Sequence, residues 1–278
     1  MSPTPVLPRS YLFVPGDRPE RFAKALASGA DAVVLDLEDA VAPSAKAAAR
    51  AAVAQALESG DPRWVLRLND AASPEFAFDL ALLQAVPAPA LMLPKAEDPA
   101  VLARLHAACP QAALLPLVES ARGVLAAGAL AAAPGVQRLV FGTLDYALDL
   151  GLEGPLAGSV GLDLPAALLA LASRSAGIGA PVAGVTPAID DEAQLLADFD
   201  RARALGYTAK LCIHPRQVAP VHAALQPSAE EQAWARRVVQ AADAAPAQGQ
   251  IGAVQLDGRM VDRPVIERAR RLLARLNP

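Results

Sequence analysis

The run ALLPLVESARG, Ala113 to Gly123, is apolar from Ala113 to Val118 and then stops on a carboxylate, Glu119. A strand covered on both faces reads as a continuous apolar stretch, so Glu119 marks the point where a strand leaves the core. RLVFGTLDYALDLG, Arg138 to Gly151, repeats the pattern: Val140 and Phe141 lead through Gly142 and Thr143 to Asp145. Outward from these two, the same kind of run recurs as YLFV from Tyr11, AVVLD from Ala32, WVLRL from Trp64 and ALML from Ala90. APVAGV from Ala180 and AKLCI from Ala209 complete the set. Helical patterns separate the runs, among them RPERFAKALAS, SAKAAARAAVAQALES, ARGVLAAGALAAA and DDEAQLLADFDRARALG. Ser44 and Asp98 stand at N-cap positions, Asp98 with Pro99 behind it.

Eight strands alternating with eight helices predict an α/β chain, a parallel (β/α)8 TIM barrel over residues 1–225. An open doubly wound sheet is the competing architecture. The turn after the first strand, VPGDRPERF, lacks the G-x-G-x-x-G that such a sheet uses for dinucleotides. Residues 226–278 remain as a C-terminal extension: a helix in QPSAEEQAWARRVVQAADAA, a hairpin in AVQLDGRMV turned at Asp257-Gly258, and a helix in PVIERARRLLARL. This piece is too small for a domain and is expected to pack on the barrel or on a neighbouring subunit.

A net charge of −4 argues against a nucleic-acid protein, whose footprint is a basic patch. The two cysteines, Cys109 and Cys212, form no disulfide framework. The start of the chain, MSPTPVLPRSYLFVPGD, lacks the charged and apolar segments of a signal peptide, and no run is long enough to span a membrane. The chain therefore reads as a soluble cytoplasmic protein.

Barrel chemistry sits at the C-terminal strand ends. Those ends carry Asp17 and Arg18; Asp36, Glu38 and Asp39; Arg67 and Asn69; Lys95 and Glu97; Glu119; Asp145; Thr186; and His214. Glu119 and Asp145 follow adjacent strands, so their carboxylates are expected side by side, where they would share a proton or bind a cation. With no His or Cys ligands nearby, an all-oxygen pair suits Mg2+, which keeps waters for a substrate to displace. The alternative is a pair of capping or salt-bridged acids, with Glu119 on Arg122. Arg67 would clamp a carboxylate or stabilise an oxyanion, or else pair with Asp36 or Glu38; Lys95 has the same two readings. The run LDLEDAV, with Glu38 and Asp39, supplies acceptors for Arg67 or a base. His214 is either a satisfied strand-end histidine or a ligand contact.

RSYLFVPGDRPERFAKALASGADAVVLDLEDAV, LRLND, LPKAE, LPLVESARG, FGTLDYALDLG, KLCIHPRQV and DGRMVDRPVIERAR occur in this order. Together they closely resemble the citrate lyase β-subunit-like family, the acyl-CoA lyase branch of the HpcH/HpaI aldolase superfamily. The resemblance implies a TIM barrel, a homotrimer or dimer of trimers, Mg2+, and C–C bond cleavage in an acyl-CoA to give acetyl-CoA or a relative and a 2-oxo acid. It places the metal on Glu119 and Asp145, substrate on Arg67 and catalysis on Asp262; the strand-end reading adds Glu119 and Lys95 as substrate contacts and Arg67, Glu38 and Asp39 as catalytic groups. In this family the C-terminal segment reaches a neighbour's site, which gives Asp262 its role. The basic set Arg9, Arg18, Arg21 and Lys24 would meet CoA phosphates, and His214 is grouped with Arg18 and Lys24 as a CoA contact. The implied activity is a carbon–carbon lyase of the malyl-CoA or citramalyl-CoA type. The alternatives are a citryl-thioester subunit of citrate lyase, a thioesterase, and a non-catalytic magnesium and 2-oxo-acid binding subunit. One departure stands out. Family members often show Gly-Ala-Glu-Asp where this chain has Gly142-Thr143-Leu144-Asp145, which changes polarity beside the metal and leaves substrate preference open. Related aldolases acting on free aldehydes use a histidine after the second strand, and LEDAVAPS has none.

Overall fold

The computed structural model describes residues 7–153, 158–244, 254–256 and 259–274. Eight parallel strands close into one barrel in sequence order: β1 Ser10–Pro15, β2 Ala32–Asp36, β3 Trp64–Arg67, β4 Ala90–Leu93, β5 Ala113–Val118, β6 Arg138–Phe141, β7 Gly179–Ala183 and β8 Ala209–Cys212. β8 pairs back onto β1, with Ser10 opposite Lys210. All eight predicted runs are strands, and the expected barrel is the observed fold.

The outer layer holds α1 Phe22–Leu26, α2 Lys46–Leu57, α3 Glu75–Ala85, α4 Pro99–Ala108, α5 Ala121–Leu125, α6 Ala127–Ala131, α7 Thr143–Leu150, α8 Asp163–Ala176, α9 Glu192–Ala204 and α10 Val218–Leu225. Asp98 caps α4 as expected, its carboxylate accepting from the Ala100 N–H at 2.8 Å. Ser44 caps nothing: it lies inside a 3-10 turn, Pro43–Ala45, and α2 starts at Lys46 without a side-chain cap. The stretch ARGVLAAGALAAA divides into α5 and α6. The largest departure is α7. TLDYALDL reads as a loop after a strand, yet it winds into a helix that buries Tyr146 and Ala147 and ends on Gly151 at φ 67°. Glycine tolerates that left-handed cap without strain.

The barrel core is made by the inward residues of alternate positions, including Tyr11, Val34, Val65, Met92, Leu115, Leu117, Val140 and Leu211. Each such side chain contributes about 1.5–3 kcal/mol on burial. No helix among the described residues is long and apolar enough to cross a membrane.

The chain divides into two compact units, residues 7–222 and the region from residue 223 onward. In the second unit, α11 Ala229–Ala244 and α12 Arg263–Ala274 accompany a hairpin of β9 Val254–Leu256 and β10 Arg259–Val261. Ala235, Val238, Val261 and Ala269 form its small core, with Trp234, Ile266 and Leu272 against them. The predicted turn at Asp257-Gly258 lies outside the described residues.

Candidate active site

Strand parity decides which side chains reach the C-terminal mouth of the barrel, because successive residues point to opposite faces. Val34 is inward, and so is Asp36; Val65 brings Arg67 with it, and Leu117 brings Glu119. These three polar residues form the top layer of an otherwise apolar interior. Together with Asp39, Asp145, Phe13, Leu144 and Ile213 they line a cleft of about 250 Å3.

Arg67 is held from two sides. Its Nε and Nη2 donate to the two oxygens of Asp36 at 2.7 and 2.6 Å, a bidentate fork. Its Nη1 lies 2.9 Å from Glu38 Oε2, and the guanidinium stacks 4.9 Å from the centre of the Phe13 ring. Burial works against its charge, but the hydrogen bonds to Asp36 and the charges of Asp36, Glu38 and Glu119 outweigh it, so Arg67 stays charged. The two partners considered from the sequence, Asp36 and Glu38, are therefore both engaged. That pairing fixes the guanidinium in the cleft wall without removing it from the cleft, since two acceptors leave N–H groups unused.

Glu38 is buried, and burial raises its pKa despite Arg67 and Lys95. Its Oε1 accepts from Lys95 Nζ at 2.8 Å, while Oε2 makes an ion pair with Arg67 but no aligned hydrogen bond. Beneath it sits a residue that the sequence reading passed over. Lys46, on an alanine-rich helix, donates its three N–H groups to Leu37 O at 2.6 Å, Glu38 O at 2.7 Å and Asn69 Oδ1 at 2.7 Å. Asn69 in turn donates to Asp79 at 2.8 Å, and Asp79 pairs with Arg50 at 3.3 Å. This buried chain fastens the β2 and β3 exits to each other, and so sets the frame for Arg67 and Glu38. A lone lysine in an apolar helix face was the available signal.

Glu119 is only 4% exposed. Its Oε1 accepts the Lys95 backbone N–H at 2.8 Å. Among the described residues, Lys95 is the only non-glycine at positive φ, 48°. That conformation costs on the order of 1 kcal/mol, and here it aims the amide at Glu119 while the side chain reaches Glu38. On the other side, a Cβ at Gly142 would lie 2.5 Å from Glu119 Oε2 and 2.6 Å from Glu119 Cβ, so only glycine fits. Burial, then the charge of Glu38 and that of Asp145, push the Glu119 carboxyl up to about 8 against the Lys95 amide and Arg67. Asp145 occupies the first turn of α7, where the helix dipole favours an acid. The proposed competitor fails: Arg122 pairs with Glu97 at 3.6 Å, not with Glu119.

Two neighbouring carboxylates, one of them buried and with its pKa raised by that burial and by its acidic neighbours, suit a hard divalent cation with oxygen ligands. Among the described residues no cluster of three or more His, Cys, Asp or Glu could hold a metal, so the protein would supply two ligands and leave the rest to water and substrate.

The remaining expected residues are dispersed. Asp39 is exposed and lines the cleft. Lys95 is part-exposed; burial opposes its charge, but the hydrogen bond to Glu38 and the charges of Glu38, Asp39 and Glu119 raise its pKa. Arg18 and Lys24 are exposed in the β1–α1 segment, Arg18 with its Nε 3.8 Å from Asp17. His214 caps the 3-10 turn after β8, the neighbour of β1, with Nδ1 accepting from Arg216 N at 3.2 Å. Arg9 separates from this basic set: it precedes β1 at the opposite end of the barrel and is paired with Asp31 at 2.8 Å. Asp262 belongs to the second unit and caps α12, accepting from Val265 N at 3.3 Å.

The fold and this acidic rim define a (β/α)8-barrel protein with an all-oxygen site at the C-terminal mouth. More particularly, the chain belongs to the HpcH/HpaI aldolase/citrate lyase family, whose model matches residues 9–215. It is 39% identical to a citrate lyase subunit beta-like protein of Deinococcus radiodurans, over 99% of each chain. It is 35% identical to a (3S)-malyl-CoA thioesterase of Cereibacter sphaeroides, over 96% of this chain and 94% of that one. The structure of CitE from Mycobacterium tuberculosis in complex with magnesium, acetoacetate and coenzyme A superposes with a TM-score of 0.85 at 36% identity, covering 97% of this chain and 98% of that one.

Proposed function

We infer that the chain is a magnesium-dependent carbon–carbon lyase acting on 3-hydroxy-3-carboxyacyl-CoA thioesters of the malyl-CoA or citramalyl-CoA type. It would release a 2-oxo acid and acetyl-CoA or a relative. The observation that carries this reading is the buried Glu119, raised to about 8 beside Asp145 and facing an Arg67 already immobilised by Asp36. The magnesium, acetoacetate and coenzyme A bound by the CitE relative support it. Glu119 and Asp145 would hold Mg2+, which when bound supplies Lewis-acid polarisation of the oxygen it contacts.

The chain's own groups do the rest. Arg67 binds the substrate carboxylate and steadies negative charge as the hydroxyl proton leaves and the C–C bond breaks. Asp39, exposed on the cleft, accepts that proton, and Glu38 keeps Arg67 and Lys95 in register. The bonding pair of the broken C–C bond passes to the thioester as an enolate, and its carbon takes a proton from Asp262 of a neighbouring copy in a homotrimer or dimer of trimers. Arg18, Lys24 and His214 lie on the adjoining β8 and β1 connections, where they would meet the CoA phosphates. Asp262→Asn is expected to lower turnover by about 10²-fold or more, with 2-oxo-acid binding by calorimetry retained; loss of that binding too would make Asp262 structural.

The deciding experiment is product analysis by mass spectrometry. The protein with Mg2+, and a metal-free control, would be incubated with malyl-, methylmalyl-, citramalyl- and citryl-CoA. Acetyl-CoA or propionyl-CoA together with a 2-oxo acid is the expected result. Free CoA with an intact hydroxy acid would overturn it in favour of a thioesterase, the activity carried by the name of the Cereibacter relative. No turnover of any CoA ester would point to a carrier-bound citryl thioester or to a binding subunit.

A further inference from the structure

The cleft has a larger neighbour. Outside the barrel wall, between β6, β7 and β8 and helices α8 and α9, lies a cavity of about 310 Å3. Phe141, Ala183, Leu162, Ala166 and Leu205 make its walls mainly apolar. Most of its charged and hydroxyl groups have a partner. Lys210, 2% exposed, donates Nζ to Gly184 O at 2.7 Å, and Tyr207 donates its hydroxyl to Ala166 O at 3.1 Å. Arg201 Nη2 donates to Asp163 at 2.6 Å, and Asp198 accepts from the Thr186 hydroxyl at 2.7 Å. An entering group therefore meets mainly carbon, with Lys210, one acceptor for three N–H groups, as the chief exception.

This cavity and the cleft share a wall. Thr143, Leu144 and Val185 line both, and Thr143 and Leu144 directly precede Asp145 in the chain. The ridge is tightly built: a Cβ at Gly184 would lie 2.5 Å from Thr143 Oγ1 and 2.8 Å from Phe141 O. Leu144 itself is 41% exposed, so the crest of the ridge is an apolar side chain open to solvent.

We propose that this cavity receives the side chain of the 2-oxo-acid half of the substrate, and that the chain takes, besides the small acids of malyl- and citramalyl-CoA, 2-oxo acids with an apolar substituent larger than methyl. The assignment rests on the functional reading above, which puts the acid's polar end between Arg67 and the carboxylates Glu119 and Asp145. From there, a substituent on the 2-oxo carbon has the apolar crest formed by Leu144 and Val185 beside it and the cavity beyond. Pyruvate reaches only the cleft. Each further methylene carried into an apolar wall favours binding by about fourfold.

The test is calorimetry on the full chain with Mg2+, titrating pyruvate, 2-oxobutyrate, 2-oxohexanoate and phenylpyruvate. Affinity is expected to rise along the aliphatic series, with 2-oxohexanoate at least tenfold tighter than pyruvate. Ala202→Leu, which fills the cavity from the part-exposed side of α9, should bring that ratio close to one; Ala166→Leu serves if the first variant does not fold. Affinity that is flat or falls with chain length overturns the proposal, as does a ratio that survives both fillings. Absence of binding by every 2-oxo acid overturns this subsite and the functional reading together. The two are otherwise separable. Length-dependent binding without turnover of any thioester keeps the subsite and removes the lyase, while thioester cleavage with length-independent binding does the reverse.

Discussion

The two ends of this barrel both bury charge, and they treat it in opposite ways. At the N-terminal end Arg138 is fully buried, and each nitrogen of its guanidinium has an acceptor: Ala180 O at 2.6 Å, Pro8 O at 2.6 Å and Thr208 Oγ1 at 2.7 Å. Arg9 and Asp31 close another pair there. At the C-terminal end Glu119 is pushed up to about 8, Glu38 keeps an oxygen without an aligned donor, and Lys95 holds a left-handed backbone. A satisfied network spends its interactions on holding the fold together. An acidic set short of positive charge holds interactions in reserve for a ligand. The difference supports the functional reading of the C-terminal end independently of any relative.

Breaking each end should then produce different losses. The largest is expected from Glu119→Gln: turnover with Mg2+ falls by 10³-fold or more, on the order of 4 kcal/mol of barrier, while circular dichroism is unchanged and Tm is not lowered. Near-normal kcat would remove Glu119 from the metal. Arg138→Met reverses the pattern. Stranding the Ala180, Pro8 and Thr208 acceptors should cost about 3 kcal/mol and lower Tm by about 6–12 °C, with kcat of the folded fraction within twofold. A large fall in kcat without a stability loss would refute the division between the two ends.

Lys46→Met probes the border between the two behaviours, since this lysine is satisfied like the bottom network yet supports the top. Leu37 O, Glu38 O and Asn69 lose their donor, and kcat/KM should drop about 30-fold, about 2 kcal/mol, with the carboxylate-binding contribution to KM affected most. An unchanged kcat/KM in a folded variant would assign Lys46 to stability alone.

The smallest effect is the sharpest in sign. Glu119 unfolded titrates near the ordinary Glu value, and folded near 8, so between the two the metal-free protein holds the extra proton and loses stability as pH rises. Cation binding needs the carboxylate and expels that proton. Mg2+ affinity is therefore expected to rise by about tenfold per pH unit up to about pH 8 and to level off above it, as read by calorimetry from pH 6 to 9. A flat profile would mean that Glu119 is not the titrating ligand.

Much of this was legible in one dimension. Unbroken apolar runs gave the eight strands, because a parallel barrel buries both faces of each. Glu119, Asp145 and Arg67 were visible because they end those runs. What stayed hidden depends on which distant groups meet. Lys46 looks like a solvated lysine among alanines, since nothing in SAKAAARAAV shows two carbonyls and Asn69 converging on it. Arg9 looks like part of a basic cluster with Arg18, although a strand of six residues sets them at opposite ends. The α7 helix was hidden by its composition: glycines at both ends and two aspartates read as loop, and only the burial of Tyr146 and Ala147 shows why it winds. The second cavity arises from two helices and three strands, so no local pattern could announce it.

Gly142 carries one more consequence, for how such a site can change over generations. Any L side chain at that position collides with Glu119, at its Cβ as well as at its carboxylate, so the glycine is fixed even where the group at 119 changes. Leu144 faces no such constraint, for it is 41% exposed and borders open space on two sides. Variation is thus barred at one residue and free two positions on. A lineage can retune what the site accepts by drifting at 144 without passing through a dead intermediate.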